Sequence, residues 1–315
     1  MITFRVYEPH DDAGQVYTLW QQVLGHNWSL AYETFHTVTL ANQAYRPGDH
    51  LVALAGDEIV GFLATQVRQG TVPLQGNLLL LLVAPPFQGQ GIGRQLHEQA
   101  LILLQRRGAA QIQLGGGFHY FWQGVPLNLP EAWSFFRAQG WTEQERSFDL
   151  VRKLAGYTTP AGIYERLRPS ITIRHATPTD AAAILAFEEH HFPQWFPHYQ
   201  RVLAHQGDVG VIVAEESSQG IVGTSFVEDP RAAWWQDDIR WLSLLGEQTG
   251  GIGPLGVAPP MREQGIGLAL AARVTEVLCE HGLTRSYIGW SWLVDWYGRL
   301  GYQVWQEYIM AWRQL

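Results

Sequence analysis

The alternation Ile2-Thr3-Phe4-Arg5 puts apolar and polar side chains on opposite faces, the period of a half-buried strand, predicted over 3–7. Ile171-Thr172-Ile173-Arg174 carries the same alternation and predicts a strand over 172–176. Each is followed by an aspartate-led segment, Asp11-Asp12-Ala13 and Thr179-Asp180-Ala181, where a carboxylate can accept from free N–H groups at a helix start. Apolar runs broken by turn residues then predict hairpins. The first is 51–55, turn Gly56-Asp57 and 59–65; the second is 211–215, turn 217–220 and 221–226. A buried strand follows in each half and stops at a double proline, Pro85-Pro86 or Pro259-Pro260, which has no N–H for a ladder. Beyond the prolines the period becomes that of a helix. Leu96, Ala100, Leu103 and Leu104 form one apolar stripe over 93–107; Leu270, Val274, Val277 and Leu278 form another over 267–281. A strand, a short helix and a Gly-aromatic step, Gly140-Trp141 or Gly301-Tyr302, close each half.

The chain therefore repeats itself. Val83-Ala84-Pro85-Pro86, followed by Gln88-Gly89-Gln90-Gly91-Ile92-Gly93, returns as Val257-Ala258-Pro259-Pro260, followed by Arg262-Glu263-Gln264-Gly265-Ile266-Gly267. The offset is 174 residues here and 169 at the opening strand. Loop insertions between equal units give such drift, and the Trp-rich stretch 228–248, against the shorter 66–76, is one of them. Each half reads as an α/β unit, a mixed sheet with flanking helices. The expected boundaries are a first domain over 1–153, a linker over 154–169 containing Gly156, Thr158, Thr159, Pro160 and Gly162, and a second domain over 170–315.

A length of 315 residues suits two domains of about 150 each. With 46% hydrophobic and 16% charged residues, both can bury a full core. The formal charge of -8 argues against wrapping a polyanion, so no nucleic-acid partner is expected, and it suits a neutral or cationic substrate. Cys279 is the single cysteine, which excludes an intramolecular disulfide framework and a Cys-based metal cluster; no metal is expected. The opening residues lack a signal-peptide pattern, and the apolar run 78–83 is far shorter than the roughly 20 residues of a membrane span. A soluble, cytoplasmic protein without a membrane partner is expected, and the sequence carries no signal of its oligomeric state.

A strand, a glycine-rich turn and a helix N-terminus together make an anion site, because unpaired N–H groups and the positive end of the helix dipole converge there. Glycines let the backbone approach phosphate oxygens closely. Neither loop carries the Gly-Lys-Ser/Thr of a P-loop. Gly89-Gln90-Gly91-Ile92-Gly93 has the wrong third spacing for a dinucleotide fingerprint, and no acidic residue closes a following strand.

Both hexapeptides resemble the Q/R-x-x-G-x-G/A signature of the GNAT superfamily of acyl-CoA N-acyltransferases. The strand–helix order of both halves is similar as well, and tandem members of like length exist, mycothiol synthase among them. The resemblance implies two tandem GNAT-type domains with acetyl-CoA as acyl donor. It places the pyrophosphate of coenzyme A on Gln88, Gly89, Gln90, Gly91, Ile92 and Gly93, and on Arg262, Glu263, Gln264, Gly265, Ile266 and Gly267. The pantetheine arm would pair with the preceding strand at Leu82-Val83 and Gly256-Val257.

Amide formation from a thioester needs a neutral amine, a donor to the developing oxyanion, and a proton for the leaving thiolate. The donor expected is a backbone N–H at Val83 or Val257. In the family the acid is often a tyrosine five residues before the closing aromatic. That place holds Tyr297 in the second half and Phe136 in the first, so the second half is expected to be catalytic. A core tyrosine packing its ring on the sheet is the other reading of Tyr297. The family's strand glutamate, eleven residues before the loop, is replaced by Asn77 and Gly251. Glu247, His190, His191 and His198 are the nearby candidates, a water relay is an alternative, and no base is named. Clustered aromatics, Phe118, Tyr120, Phe121 and Trp122, then Phe192, Trp195 and Phe196, Trp234-Trp235, and Trp290 with Trp292, suit either an acceptor cleft or packing between the halves. The leading reading is acetyl transfer to the amine of a small molecule. A catalytically inactive coenzyme-A-binding or scaffolding module, and an aminoacyl transferase using charged tRNA, stand as alternatives.

Overall fold

A computed structural model describes residues 1–39, 45–68, 73–117, 120–204, 210–232 and 239–315. These residues form two compact units, Met1–Phe148 together with Gln306–Leu315, and Asp149–Trp305.

In chain order the elements begin with β1 (Ile2–Val6), α1 (Pro9–Val23), α2 (Tyr32–Thr39), β2 (His50–Ala55), β3 (Glu58–Arg68) and β4 (Gln75–Val83). They continue with α3 (Ile92–Arg106), β5 (Gln111–Leu114), β6 (Val125–Pro126), α4 (Pro130–Ala138) and β7 (Glu145–Lys153). The repeat follows as β8 (Ile171–His175), α5 (Ala181–His191), α6 (Phe196–Leu203), β9 (Val211–Glu216) and β10 (Gly220–Glu228). Last come α7 (Leu242–Leu245), β11 (Thr249–Val257), α8 (Ile266–Glu280), β12 (Arg285–Ser291), α9 (Val294–Gly298), β13 (Gln303–Met310) and β14 (Trp312–Gln314). Each glycine loop thus feeds a helix of 15 residues, α3 or α8.

The first unit holds a six-stranded sheet in the order β1-β2-β3-β4-β5-β14. Its last strand comes from the end of the chain: Trp312 pairs with Gln113 and Gln314 with Gln111. Tyr308 and Ile309 likewise pair with Pro126 and Val125. The expected second domain over 170–315 therefore differs from the compact unit, whose boundaries fall inside β7 and β13. Backbone pairing decides this, since β5 would otherwise expose a ladder edge that the terminal strand satisfies. The stretch 154–169, expected as a linker, lies within the second unit and packs on α8. There the Tyr164 hydroxyl donates to Glu276 Oε1 at 2.9 Å.

In the second unit β12-β11-β10-β9-β8 run side by side. Adjacent residues of β10 face opposite layers, as the pleat requires. A Cβ on Gly223 would meet Leu270 of α8 at 3.1 Å, whereas Thr224 donates to Glu188 of α5. Gly61 of β3 takes the corresponding place in the first unit, where a Cβ would meet Leu96 of α3 at 3.1 Å. Both small residues let the long helix lie close to the sheet. The α5–α6 face is filled by Ile184, Tyr199, Val202, Val211, Val213 and Phe226, all fully buried.

A carboxylic acid sits in that apolar layer. Glu188 is fully buried, its Oε1 accepting from Thr224 Oγ1 at 2.5 Å while Oε2 has no partner among the described residues. Burial pushes its carboxyl up to about 7, against the opposing pull of bonds from Thr224 and Tyr199. The folded state therefore holds a proton that the unfolded chain releases near pH 4.5. This contribution to stability is fully present below about pH 4.5 and is lost as pH rises to about 7. Glu188→Gln removes it, so the variant should gain on the wild type by up to about 3 kcal/mol between pH 5 and pH 8, read by urea denaturation. Identical pH dependence in the two proteins would contradict this.

Candidate functional site

In the second unit β10 and β11 pair antiparallel from Gly223↔Val257 to Glu228↔Gly251, with a bulge between Ser225 and Val227. On its other side β11 pairs in parallel with β12 only at Thr249, Gly250 and Gly251. Both strands continue past that point, to Val257 and Ser291. The edge of β11 over 252–257 is thus left without a strand partner among the described residues. The first unit repeats the arrangement. β3 and β4 pair from Gly61↔Val83 to Arg68↔Gln75, bulged between Ala64 and Thr65, and the β4–β5 ladder ends at Leu78.

Beyond each open edge the chain turns at the double proline and is pinned back. Arg262 Nε donates to the Val257 carbonyl at 3.1 Å and Gln88 Nε2 to the Val83 carbonyl at 2.9 Å. Gln264 Nε2 donates to the Pro260 carbonyl at 3.3 Å, and Gln90 Nε2 to the Pro86 carbonyl at 3.0 Å. Gly91 and Gly265 cap α3 and α8 in the left-handed region, both at φ 84°, where a Cβ would be strained. The N–H groups of 263–265 and 89–91 donate to no backbone carbonyl among the described residues, so each loop offers donors at a helix N-terminus. The last glycine of each motif admits an aromatic ring. A Cβ on Gly267 would meet Trp296 at 3.2 Å, and one on Gly93 would meet Phe135 at 3.4 Å. Trp296 and Phe135 are therefore structural counterparts, and so are their neighbours Tyr297 and Phe136.

A cavity of 720 Å³ lies over the second open edge. Gly256, Val257, Arg262, Glu263, Gln264, Gly265 and Gly267 line it, with Tyr297 and with Ile163 and Arg166 of the stretch expected as linker. Ile266 instead turns into the core. A cavity of 570 Å³ in the first unit is lined by Leu82, Val83, Gln88, Gly89, Gly91 and Gly93, with Phe136 in its wall. Gln90 is held on Pro86, and Ile92 is buried. The Tyr297 hydroxyl makes no hydrogen bond among the described residues. Burial, reinforced by Tyr302, raises its pKa well above that of an ordinary tyrosine. Free loop N–H groups, a left-handed glycine and an unpaired strand edge suit a pyrophosphate joined to an amide-bearing arm.

The other candidates are dispersed. Glu247 is exposed in the turn before β11, and His190 is exposed on α5. Burial lowers the pKa of His191, with His190 adding to it. His198 accepts from Arg201 at 2.7 Å, and burial, with help from Arg201, lowers it to about 3, too weak a base for the task. None of these four lines the cavity. Phe121 and Trp122 are core residues; Trp122 stacks on Trp20 at 5.4 Å and also lines the first cavity. Phe192 and Trp195 stack at 4.8 Å in the wall of the second cavity. Trp292 is exposed. Phe118, Trp234 and Trp235 lie outside the described residues. Sequence reasoning passed over Glu228, a buried carboxylate paired across the strands with Gly251, where the ladder opens. Its only signal was the pair of glycines Gly251 and Gly253. Among the described residues no group of His, Cys, Asp and Glu is placed to hold a metal, and no helix is long and apolar enough to cross a membrane.

Residues 46–143 match the model of an acetyltransferase (GNAT) domain, and residues 179–302 that of the acetyltransferase (GNAT) family. No curated protein sequence matches the chain. Among solved structures, a GCN5-related glucosamine N-acetyltransferase region of a fungal multi-domain GH3 β-N-acetylglucosaminidase is similar, with 29% identity and a TM-score of 0.90. The match covers 99% of this chain and 38% of that one, so this chain spans well under half of that relative's length. A GCN5-related N-acetyltransferase from Sphaerobacter thermophilus matches at 20% identity and TM-score 0.70, covering 99% of this chain and 95% of that one. A tandem GNAT protein from the clavulanic acid biosynthesis pathway matches at 15% and 0.67, covering 100% and 98%. The last two likenesses are of fold. With one family model on each half, and a loop, helix and open strand edge repeated in both units, the chain belongs to the GNAT acetyltransferases as a tandem member.

Proposed function

We propose that this protein is an acetyl-CoA-dependent N-acetyltransferase acting on the amine of a small molecule, and that its second unit carries the reaction. The supporting observation is one cavity that gathers the open end of β11, the Arg262–Gly267 loop and the Tyr297 side chain. Bound acetyl-CoA supplies the thioester. The N–H groups of 263–265 and the start of α8 suit its pyrophosphate, and the edge of β11 suits the amides of its arm. The Val257 N–H is assigned to the carbonyl oxygen, where charge develops. Tyr297, a neutral phenol at pH 7, gives its hydroxyl proton to the departing sulfur.

The likeness to a glucosamine N-acetyltransferase region favours an amino sugar as acceptor. The stacked pair Phe192 and Trp195 fits that reading, since a sugar ring presents an apolar face to aromatic walls. In the first unit Phe136 has no proton to give, so that unit is read as a coenzyme-A-binding or supporting module. A single cysteine, Cys279, fits a protein of the reducing cytoplasm.

Tyr297→Phe should lower kcat at least tenfold, measured as thiol release from acetyl-CoA with glucosamine, and leave calorimetric acetyl-CoA affinity nearly unchanged. Unaltered turnover would remove Tyr297 from the mechanism. Gly265→Ala places a Cβ at φ 84°, a strain of about 1–2 kcal/mol that shifts the loop. Acetyl-CoA should then bind about tenfold more weakly, and wild-type affinity would contradict the role given to this loop.

A further inference from the structure

Glu228 ends β10 and lies directly across from Gly251, the last residue of β11 held in the parallel ladder. Its side chain leaves its own strand and occupies the space over its neighbour. A Cβ built on Gly251 would sit 2.6 Å from Glu228 Oε2, and one on Gly253 would sit 2.8 Å from Oε1. Neither position can carry a side chain while the carboxylate is there. The two glycines form a slot, and the slot holds a carboxylate. Glu228 is two residues beyond Phe226 and shares its sheet face, the face covered by α5 and α6 from which Phe192 and Trp195 reach the cavity. Gly253 is two residues, about 7 Å, before Leu255, where β11 enters the cavity wall.

The first unit supplies the contrast. Counting from the paired residues Gly61↔Val83 and Gly223↔Val257 through equivalent bulges, Glu228↔Gly251 corresponds to Gln66↔Asn77. Asn77 Nδ2 is committed to the Gly115 carbonyl at 2.9 Å, and both side chains there are amides. Only the unit with Tyr297 has a carboxylate at this crossing.

We infer that Glu228 is the proton acceptor of the second unit, delivered from the neighbouring strand into the space that Gly251 and Gly253 leave open. The inference rests on the acetyl-transfer reading above. As the amine nitrogen bonds to the thioester carbon and the C–S bond breaks, one N–H proton passes to the Glu228 carboxylate. The sulfur takes the Tyr297 proton, and the proton on Glu228 returns through solvent to the tyrosinate. Amide and free thiol are the products, and no other reactant is needed.

The test compares the full-length chain with Glu228→Gln and Glu228→Asp, using glucosamine and acetyl-CoA. Glu228→Gln should lower kcat at least a hundredfold, while calorimetric acetyl-CoA affinity stays within threefold and the thermal midpoint is kept. Glu228→Asp keeps a carboxylate and should recover part of the loss. Wild-type turnover in Glu228→Gln overturns the inference alone. So does a loss of turnover matched by a loss of acetyl-CoA binding, which marks a structural role. A wild-type chain that releases no thiol overturns the acetyl-transfer reading, and this inference with it.

Discussion

An unpaired strand edge inside a folded protein is costly, because each buried N–H or C=O without a partner loses its bond to water and gains nothing in return. In the second unit such an edge opens after Gly251, where β11 and β12 run on without pairing and 255–257 line the cavity. It recurs after Leu78 in the first. The rest of each unit is arranged around this opening. The bulged ladder on the other side of β11 holds the strand in place, and the double proline stops it. The Arg262 side chain ties the following loop back to Val257, so the helix N-terminus and the open edge keep a fixed relation. An extended ligand with amide groups at one end and phosphates at the other satisfies both.

Duplication makes divergence readable. Framework positions keep their roles in both units: Gly61 and Gly223 under the long helix, Gly91 and Gly265 at its cap, Phe135 and Trp296 against the last loop glycine. The differences concentrate where protons would move. Tyr297 corresponds to Phe136 in the repeat, and Glu228 with Gly251 corresponds to Gln66 with Asn77. A scaffold retained in both copies with its ionisable groups in one is the pattern expected when one unit works and the other supports it.

The sequence showed most clearly what the backbone demands. A left-handed cap at φ 84° calls for glycine, and a strand stop calls for residues without N–H groups, so Gly91, Gly265 and the paired prolines stood out. Tyr297 was legible only through its distance from Gly301-Tyr302. Glu228 was not, because its place over Gly251 and Gly253 is set by cross-strand register displaced by a bulge, which no linear spacing records. The same limit hid the terminal strand. Trp312–Gln314 carries no motif, and only its pairing with β5 assigns it to the first unit. The Gly/Thr/Pro-rich stretch 154–169 looked like a tether by composition, yet Tyr164 and Ile163 anchor it beside α8. The sequence left the aromatics open between an acceptor cleft and packing; Trp122 is mostly core, whereas Phe192 and Trp195 reach the cavity.

The central claim is that the open edge of β11 receives the acyl donor and Tyr297 stands at its reacting end. A crystal structure of the full chain soaked with acetyl-CoA tests it directly. The expected density is an arm laid along 255–257, pyrophosphate on the loop over 262–267, and the sulfur within hydrogen-bonding reach of the Tyr297 hydroxyl. Acetyl-CoA bound solely in the first unit, or in the second with its sulfur turned away from Tyr297, would contradict it.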